Sequence, residues 1–261
     1  MDFQIDKIYN EDCLLGMQRI PDGSVDCIIT DLPYGVLSKT NRASAWDEVI
    51  PFEPLWEQFK RVSKPNAAIV LFAQGMFTAK LMMSQPDMWR YNLIWKKGNR
   101  VTGFLNAGNQ PLRCHEDICV FYREQATYNP QKTKGAINHV KTRNNATKEE
   151  KVRQGCYGDF IFNSTDLSGM KHPKSIIDVD KEYDFKELFH PTQKPVDLLR
   201  YLVLTYTNPN DVVLDATIGS GTTAIACIKE HRHFVGFELN KEYYDKACKR
   251  IALEQSQPTL F

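Results

Sequence analysis

The sequence predicts an α/β fold, a doubly wound and mostly parallel sheet interrupted by a basic segment of different character. Three observations predict it. Apolar runs of strand length alternate with stretches of helical spacing. Near the carboxyl end a strand, a loop holding Gly219 and Gly221, and a helix follow one another. Between two such ordered halves, hydrophobic periodicity fades from Tyr128 to about Ile177, where Asn, Lys, Thr and Gly dominate.

Taken in order, Val25 to Thr30 is the first clear buried strand. Phe52 to Val62 has helical spacing through Leu55, Phe59 and Val62, and Ser63-Lys64-Pro65-Asn66 is expected to stop it before a strand from Ala67 to Ala73. A helix is predicted over Met76 to Ser84. Tyr91 to Lys96 and Asp117 to Tyr122 read as two strands, an antiparallel pair at one edge, with His115-Glu116 an edge-strand polar pair. Order resumes with a helix from Val196 to Tyr206, a strand from Val212 to Asp215 and a helix from Thr222 to Lys229. A strand from His233 to Glu238 and a helix from Lys241 to Leu253 complete it. The expected division is a first half at 1–127, an insertion at 128–185, a second half of the same domain at 186–254 and a flexible tail at 255–261.

A chain of 261 residues, 42% hydrophobic and 25% charged, has an ordinary globular balance and the length for a substantial core. Its net charge of +1 leaves any polyanion footprint to be local. That footprint lies between Tyr128 and Ile177, where nine Lys and Arg face four acids, a local +5 against −4 for the rest. The amino-terminal residues Met1 to Asp12 carry acids and no apolar core, unlike a signal peptide. The longest apolar run, Ala67 to Ala73, is too short to span a bilayer, so no membrane role is expected. Seven scattered cysteines without a CxxC pair read as reduced thiols of a cytoplasmic protein, and no His or Cys spacing completes a metal site.

Two stretches carry the chemistry. In Val212 to Asn240 the strand ends in Asp215, Gly219 and Gly221 let the backbone approach a ligand, and the amides of Thr222 and Thr223 open the helix. Glu238 ends the next strand 17 residues after Gly221, where a carboxylate can take both hydroxyls of a ribose. The loop is neither GxGxxG nor a Walker loop, and Asp215 would repel a pyrophosphate, so the ligand expected is a nucleoside without phosphates; S-adenosylmethionine fits. In the other stretch, Asp31-Leu32-Pro33-Tyr34 puts a carboxylate, a stiff turn and an aromatic ring directly after a strand.

The glycine loop resembles motif I of the S-adenosylmethionine-dependent amino-methyltransferases, and Asp31-Leu32-Pro33-Tyr34 resembles their D-P-P-Y motif IV. Phe189 to Pro195, FHPTQKP, is similar to the segment that precedes motif I in the beta class of DNA methyltransferases. Asn10 to Asp31 resembles the opening of that class, where the acid before a cysteine, here Asp12-Cys13, meets the cofactor's adenine. The order of catalytic motif, recognition region and cofactor loop is that of the class. The chain departs from the common pattern at Leu32, which replaces a proline, and in reading Asp-Ala-Thr-Ile-Gly-Ser-Gly from Asp215 to Gly221.

The resemblance implies a site-specific DNA methyltransferase of the kind found in restriction-modification systems, acting on double-stranded DNA in a prokaryotic or phage-infected cell. Catalysis would rest on Asp31, Leu32, Pro33 and Tyr34: two acceptors, the Asp31 carboxylate and the Leu32 carbonyl, on the target amine, and the Tyr34 ring on a base drawn out of the duplex. The cofactor contacts implied are Asp12, Cys13, Thr192, Gln193, Lys194, Asp215, Ala216, Thr217, Gly219, Ser220, Gly221, Thr222, Thr223, Glu238 and Leu239. Within the family an aspartate at the head of motif IV goes mostly with adenine N6 and a serine with cytosine N4. Adenine is therefore the expected target, cytosine N4 the alternative, and a non-catalytic DNA-binding protein of the same fold the third reading. DNA contacts are expected from Lys132, Lys134, Lys141 and Arg143. The tail ends in Gln257-Pro258-Thr259-Leu260-Phe261, similar to the pentapeptide that docks on bacterial sliding clamps through residues placed like Gln257, Leu260 and Phe261. A homodimer is compatible with the sequence and not specified by it.

Overall fold

In the computed structural model the described residues are 3–35, 47–98, 101–135, 150–154, 158–162, 170–180 and 193–256, with the backbone alone for 150–154 and 158–162. They form two compact units, one from Met1–Asn129 and Ser175–Phe261, the other from Pro130–Lys174.

The first half of the larger unit contains strand β1 (Lys7–Tyr9), helix α1 (Cys13–Met17), β2 (Val25–Thr30), α2 (Phe52–Val62), β3 (Ser63–Ala73), α3 (Met76–Ser84), β4 (Trp89–Lys96) and β5 (His115–Phe121). The smaller unit holds two antiparallel pairs, β6 (Thr133–Lys134) with β9 (Met170–Lys171) and β7 (Glu150–Gln154) with β8 (Gly158–Phe162). The larger unit resumes with β10 (Ile176–Asp178), α4 (Val196–Tyr206), β11 (Val212–Asp215), α5 (Thr222–Lys229), β12 (His233–Phe237) and α6 (Lys241–Ser256).

Eight described strands make one sheet in the order β1-β12-β11-β2-β3-β5-β4-β10. β5 runs against both its neighbours, and the other pairs are parallel. From β2 the sheet extends through β3, β5 and β4 in one direction, and from β11 through β12 in the other, with β1 and β10 added at the two edges. The strand order therefore reverses where β2 lies against β11, the place where an open α/β sheet offers a crevice beyond its strand ends.

Alternation on β3 explains the layers. Ala68, Val70 and Phe72 point into a core shared with Leu198, Leu202, Ala224 and Ile251 of α4, α5 and α6. Ile69, Leu71 and Ala73 point to the opposite face and meet Met17, Leu55, Phe59 and Leu81 of α1, α2 and α3. α2 buries Leu55, Trp56, Phe59 and Val62 along one stripe, with Glu53 in its first turn and Lys60 and Arg61 in its last, as the helix dipole favours.

The structure amends several expectations. Residues 63–66 do not separate α2 from the next strand but begin it. Pro65 is tolerated because the pairing with β2 slips between Val25 and Cys27, and a bulge frees the ladder position where a proline lacks its N–H. β5 lies between β3 and β4 rather than at an edge, and β10 is the strand beyond β4. Ile176–Asp178 falls inside the stretch read as insertion, 128–185, yet belongs to the main sheet. α6 runs on to Ser256, three residues past the expected end. No described helix is long and apolar enough to cross a membrane.

Candidate active site

A cavity of about 780 Å³ opens beyond the ends of β2, β3, β11 and β12. It is lined by Asp31, Leu32, Pro33 and Tyr34, by Asp12 and Cys13, by Gln193 and Lys194, and by Asp215, Ala216, Thr217, Gly219, Ser220, Thr222, Thr223, Glu238 and Leu239. Two motifs far apart in sequence thus meet in one place because β2 and β11 pair in parallel, Val213 with Cys27 and Leu214 with Ile28. The join is also made by side chains. The Thr217 hydroxyl donates to the Asp31 backbone carbonyl at 3.0 Å, and its oxygen lies 2.8 Å from the Thr30 hydroxyl.

The glycine loop is shaped by its own hydrogen bonds. Thr223 donates to Asp215 Oδ2 at 2.5 Å and the Thr217 amide to Oδ1 at 3.1 Å. Burial pushes the Asp215 carboxyl up to about 6 against those donors. Gly219 and Gly221 take φ of 52° and 78°, the left-handed region that favours glycine. Gly221 does not line the cavity; it turns the chain into α5, and a Cβ there would stand 3.3 to 3.4 Å from Ile251 and Ala247. Glu238 is held at the end of β12 by two backbone amides, Gly219 to Oε2 at 3.1 Å and Asn240 to Oε1 at 2.7 Å. Burial raises its pKa, opposed by those amides. On the neighbouring wall Asp12 caps α1, accepting from the Leu14 and Leu15 amides at 2.8 and 3.2 Å. Burial raises the Cys13 thiol to about 12 and keeps it neutral.

These residues fit S-adenosylmethionine. A carboxylate at a strand end can still accept from a diol, since each oxygen uses one lone pair on an amide. The acidic pair Asp215 and Glu238 suits a cationic nucleoside and repels phosphates. Gln193 adds a buried side-chain oxygen that has no hydrogen-bond partner among the described residues and faces the same cavity, an acceptor that a bound amine or amide would satisfy.

Around Asp31 the structure shows more than the sequence suggested. Oδ1 accepts from the Tyr34 hydroxyl at 2.6 Å, and Oδ2 pairs with the Lys194 ammonium. Lys194 also lies 3.3 Å from Glu116, whose other oxygen is 2.5 Å from the Lys97 ammonium. The result is a buried chain of alternating charge: Asp31, Lys194, Glu116, Lys97. Burial pushes the Asp31 carboxyl above its usual range, opposed by Lys194. Burial would raise Glu116 too, but the Lys194 and Lys97 ammonium groups outweigh it and hold that carboxyl low. The turn itself is fixed by Asp47, which accepts from the Tyr34 and Gly35 amides at 2.8 and 3.1 Å. The Tyr34 ring packs on Phe77 with centroids 5.0 Å apart.

Lys194, expected among the cofactor contacts, lines the cavity and pairs with the acidic turn. Glu116 is not an edge-strand ornament, because β5 is an interior strand whose end faces the cavity; its partner in the sequence reading, His115, is exposed. Lys97, Asp47 and Thr30 escaped the sequence reading, and Glu116 was placed there only as half of an edge-strand polar pair. The one local signal was Glu116 itself, in the polar run His115, Glu116 and Asp117 that opens the strand before its apolar residues. Trp95 is buried and also lines the cavity. Thr192, Lys141, Arg143 and the tail with Gln257, Leu260 and Phe261 lie outside the described residues, while Lys132 and Lys134 are exposed in the smaller unit.

Comparison with known proteins agrees with this arrangement. A family model described as DNA methylase, for the N6 and N4 enzymes, matches residues 25–249. The chain is 29% identical to the Type II methyltransferase M.HinfI of Haemophilus influenzae, across 95% of this chain and 68% of the relative. It is likewise 29% identical to the Type II methyltransferase M.BglII of Bacillus subtilis, across 98% and 72%. Its fold is shared with the M1.HpyAVI–SAM complex at a TM-score of 0.60 and 22% identity, covering 94% of this chain and 98% of that one. The PvuII cytosine-N4-specific DNA methyltransferase gives 0.65 at 15% identity, covering 100% and 89%. With a match over most of its length and the family's two motifs brought together in one cavity, the chain belongs to the N6/N4 DNA methylase family of amino-methyltransferases.

Proposed function

We propose that this protein methylates the N6 amine of adenine in double-stranded DNA, using S-adenosylmethionine. The observation that carries the reading is the Asp31 carboxylate in the cavity, pinned through its own backbone to the glycine loop by Thr217. S-adenosylmethionine, when bound, supplies an electrophilic methyl group. Everything else falls to the chain. Glu238 holds a ribose diol, and Asp12 at the start of α1 forms the neighbouring wall. Asp31 accepts an N–H of the target amine on lone pairs that Tyr34 and Lys194 leave open. The Leu32 carbonyl takes the other N–H, so the amine's electron pair is drawn out of the ring and aimed at the methyl group. Positioning and electrostatics then supply most of the rate, with Lys194 keeping Asp31 ionised until the amine gives up its proton. That proton passes to Asp31, which burial has made more basic than a surface carboxylate.

Asp31, where a cytosine enzyme would more often carry serine, is the reason to prefer adenine. A cytosine-N4 reading stands beside it because the fold is equally that of a cytosine-N4-specific neighbour. Mass spectrometry of nucleosides from DNA incubated with protein and cofactor separates the two: N6-methyladenine supports the proposal, and N4-methylcytosine alone overturns it. The basic stretch that includes Lys132, Lys134, Lys141 and Arg143 is proposed to bind DNA phosphates, and the tail through Gln257, Leu260 and Phe261 to bind a sliding clamp.

A further inference from the structure

β4 and β5 are joined by a loop that leaves the sheet beside the cavity. The stem is ordered by backbone bonds. Lys97 donates to Cys114 at 2.9 Å, and Thr102 and Arg113 exchange bonds of 2.8 and 3.1 Å. Beyond it, residues Phe104–Asn106 form a single 3-10 turn. The Asn106, Asn109 and Gln110 amides find carbonyls within this tip at 2.9 to 3.0 Å. The tip is thus self-satisfied in its backbone and yet presents two adjacent large apolar side chains, Phe104 at 73% and Leu105 at 86% exposure. Thr102 of the stem lines the cavity itself, so the tip stands at the cavity's rim.

Charge says what this tip faces. From Lys96 to His115 the sequence has four Lys and Arg and no acid. Asp178 pairs with Lys96 and Glu116 with Lys97, while Arg113 makes no ion pair among the described residues. A loop with four cations and no acid of its own, and with Arg113 outside any ion pair among the described residues, suits a polyanion. A base that leaves its stack also leaves an apolar gap the height of an aromatic ring, and an apolar side chain that fills it holds the opened state.

We propose that Phe104 and Leu105 are a wedge that enters the duplex at the position the target base vacates. The proposal rests on the reading that the cavity takes a base out of duplex DNA. Two substrates isolate it: a duplex carrying the site the wild type methylates, mapped first by sequencing methylated plasmid, and the same duplex with an abasic residue opposite the target. Phe104→Ala/Leu105→Ala is expected to methylate the paired duplex about tenfold more slowly, the change that about 1.4 kcal/mol of barrier produces. On the abasic duplex, where no partner has to be displaced, it should approach the wild-type rate. Phe104→Trp, which keeps a ring at the tip, should retain the rate on both. So should Met83→Ala, a control at a 74% exposed position of α3. Equal rates of double variant and wild type on the paired duplex overturn the wedge. Equal loss on both duplexes overturns it as well, as does a changed sedimentation coefficient, which would assign the tip to contact with a second copy. Failure of the wild type to methylate any duplex overturns the underlying reading instead, and the wedge with it.

Discussion

Glu116→Gln tests the buried charge chain at its middle. In the native site one carboxylate stands 2.5 Å from Lys97 and 3.3 Å from Lys194. At an effective dielectric constant of about 20, the longer contact alone corresponds to roughly 5 kcal/mol of attraction before desolvation is counted. Replacing the acid by its amide leaves two buried ammonium groups facing the single charge of Asp31. Breaking a buried pair from one side costs about 3–5 kcal/mol, and that loss of unfolding free energy is expected in urea denaturation. Glu116→Gln/Lys97→Met removes one charge of each sign and should recover most of the loss. The effect on chemistry has a definite sign. The Glu116 charge helps to raise the Asp31 pKa, so without it the acid limb of the kcat–pH profile moves to lower pH. Maximal kcat falls too, because Lys194 then binds Asp31 without competition and the carboxylate is a poorer acceptor for the amine. A Glu116→Gln protein as stable as the wild type, with an unshifted acid limb, would refute the coupling.

Other expectations follow from the same geometry. Asp31→Asn should lower methyl transfer about a hundredfold or more while cofactor affinity, by calorimetry, changes little, since its side chain faces Tyr34 and Lys194 rather than the glycine loop. Glu238→Ala should weaken cofactor binding by about 3 kcal/mol, roughly a hundredfold in Kd, as the Gly219 and Asn240 amides also lose their acceptor. Asp215, raised from 3.8 to about 6 by burial, binds its proton more tightly folded than unfolded, so its contribution falls as pH rises. Between pH about 4 and 7 the protein without cofactor should lose about 2 kcal/mol relative to Asp215→Asn, read from denaturation at both pH values. Neutralising Lys132, Lys134, Lys141 and Arg143 together should flatten the salt dependence of DNA binding in a titration against ionic strength; an unchanged slope places the phosphates elsewhere.

Long, strongly patterned elements were legible from the chain. The helices at 52–62, 76–84, 196–206 and 222–229 and the strands at 25–30 and 212–215 fall where periodicity places them. The omissions share a cause. β1, α1 and β10 have three, five and three residues, too few for a period to show, and are held by neighbours distant in sequence. The residues around Asp31 divide the same way. Asp31 and Tyr34 sit in a recognisable turn, whereas Glu116, Lys97 and Asp47 are charged residues made special only by the walls that close over them. Lys194 was singled out through its motif, but its partner could be known only once α4's leading segment was seen beside β2.

The bond from Thr217 to the Asp31 carbonyl joins residues 186 positions apart, and this separation bears on how the enzyme is made. A ribosome releases the acidic turn early, with β2 and β3 already able to pair. The wall that would complete the pocket emerges only with residues 212–238, after the whole basic segment. Contacts this far apart close late, because the intervening loop must first be ordered. An interrupted chain therefore carries the acidic turn without the glycine loop and has no methylating activity to misdirect. Activity should arise in one late step of synthesis, when β11 slots against β2.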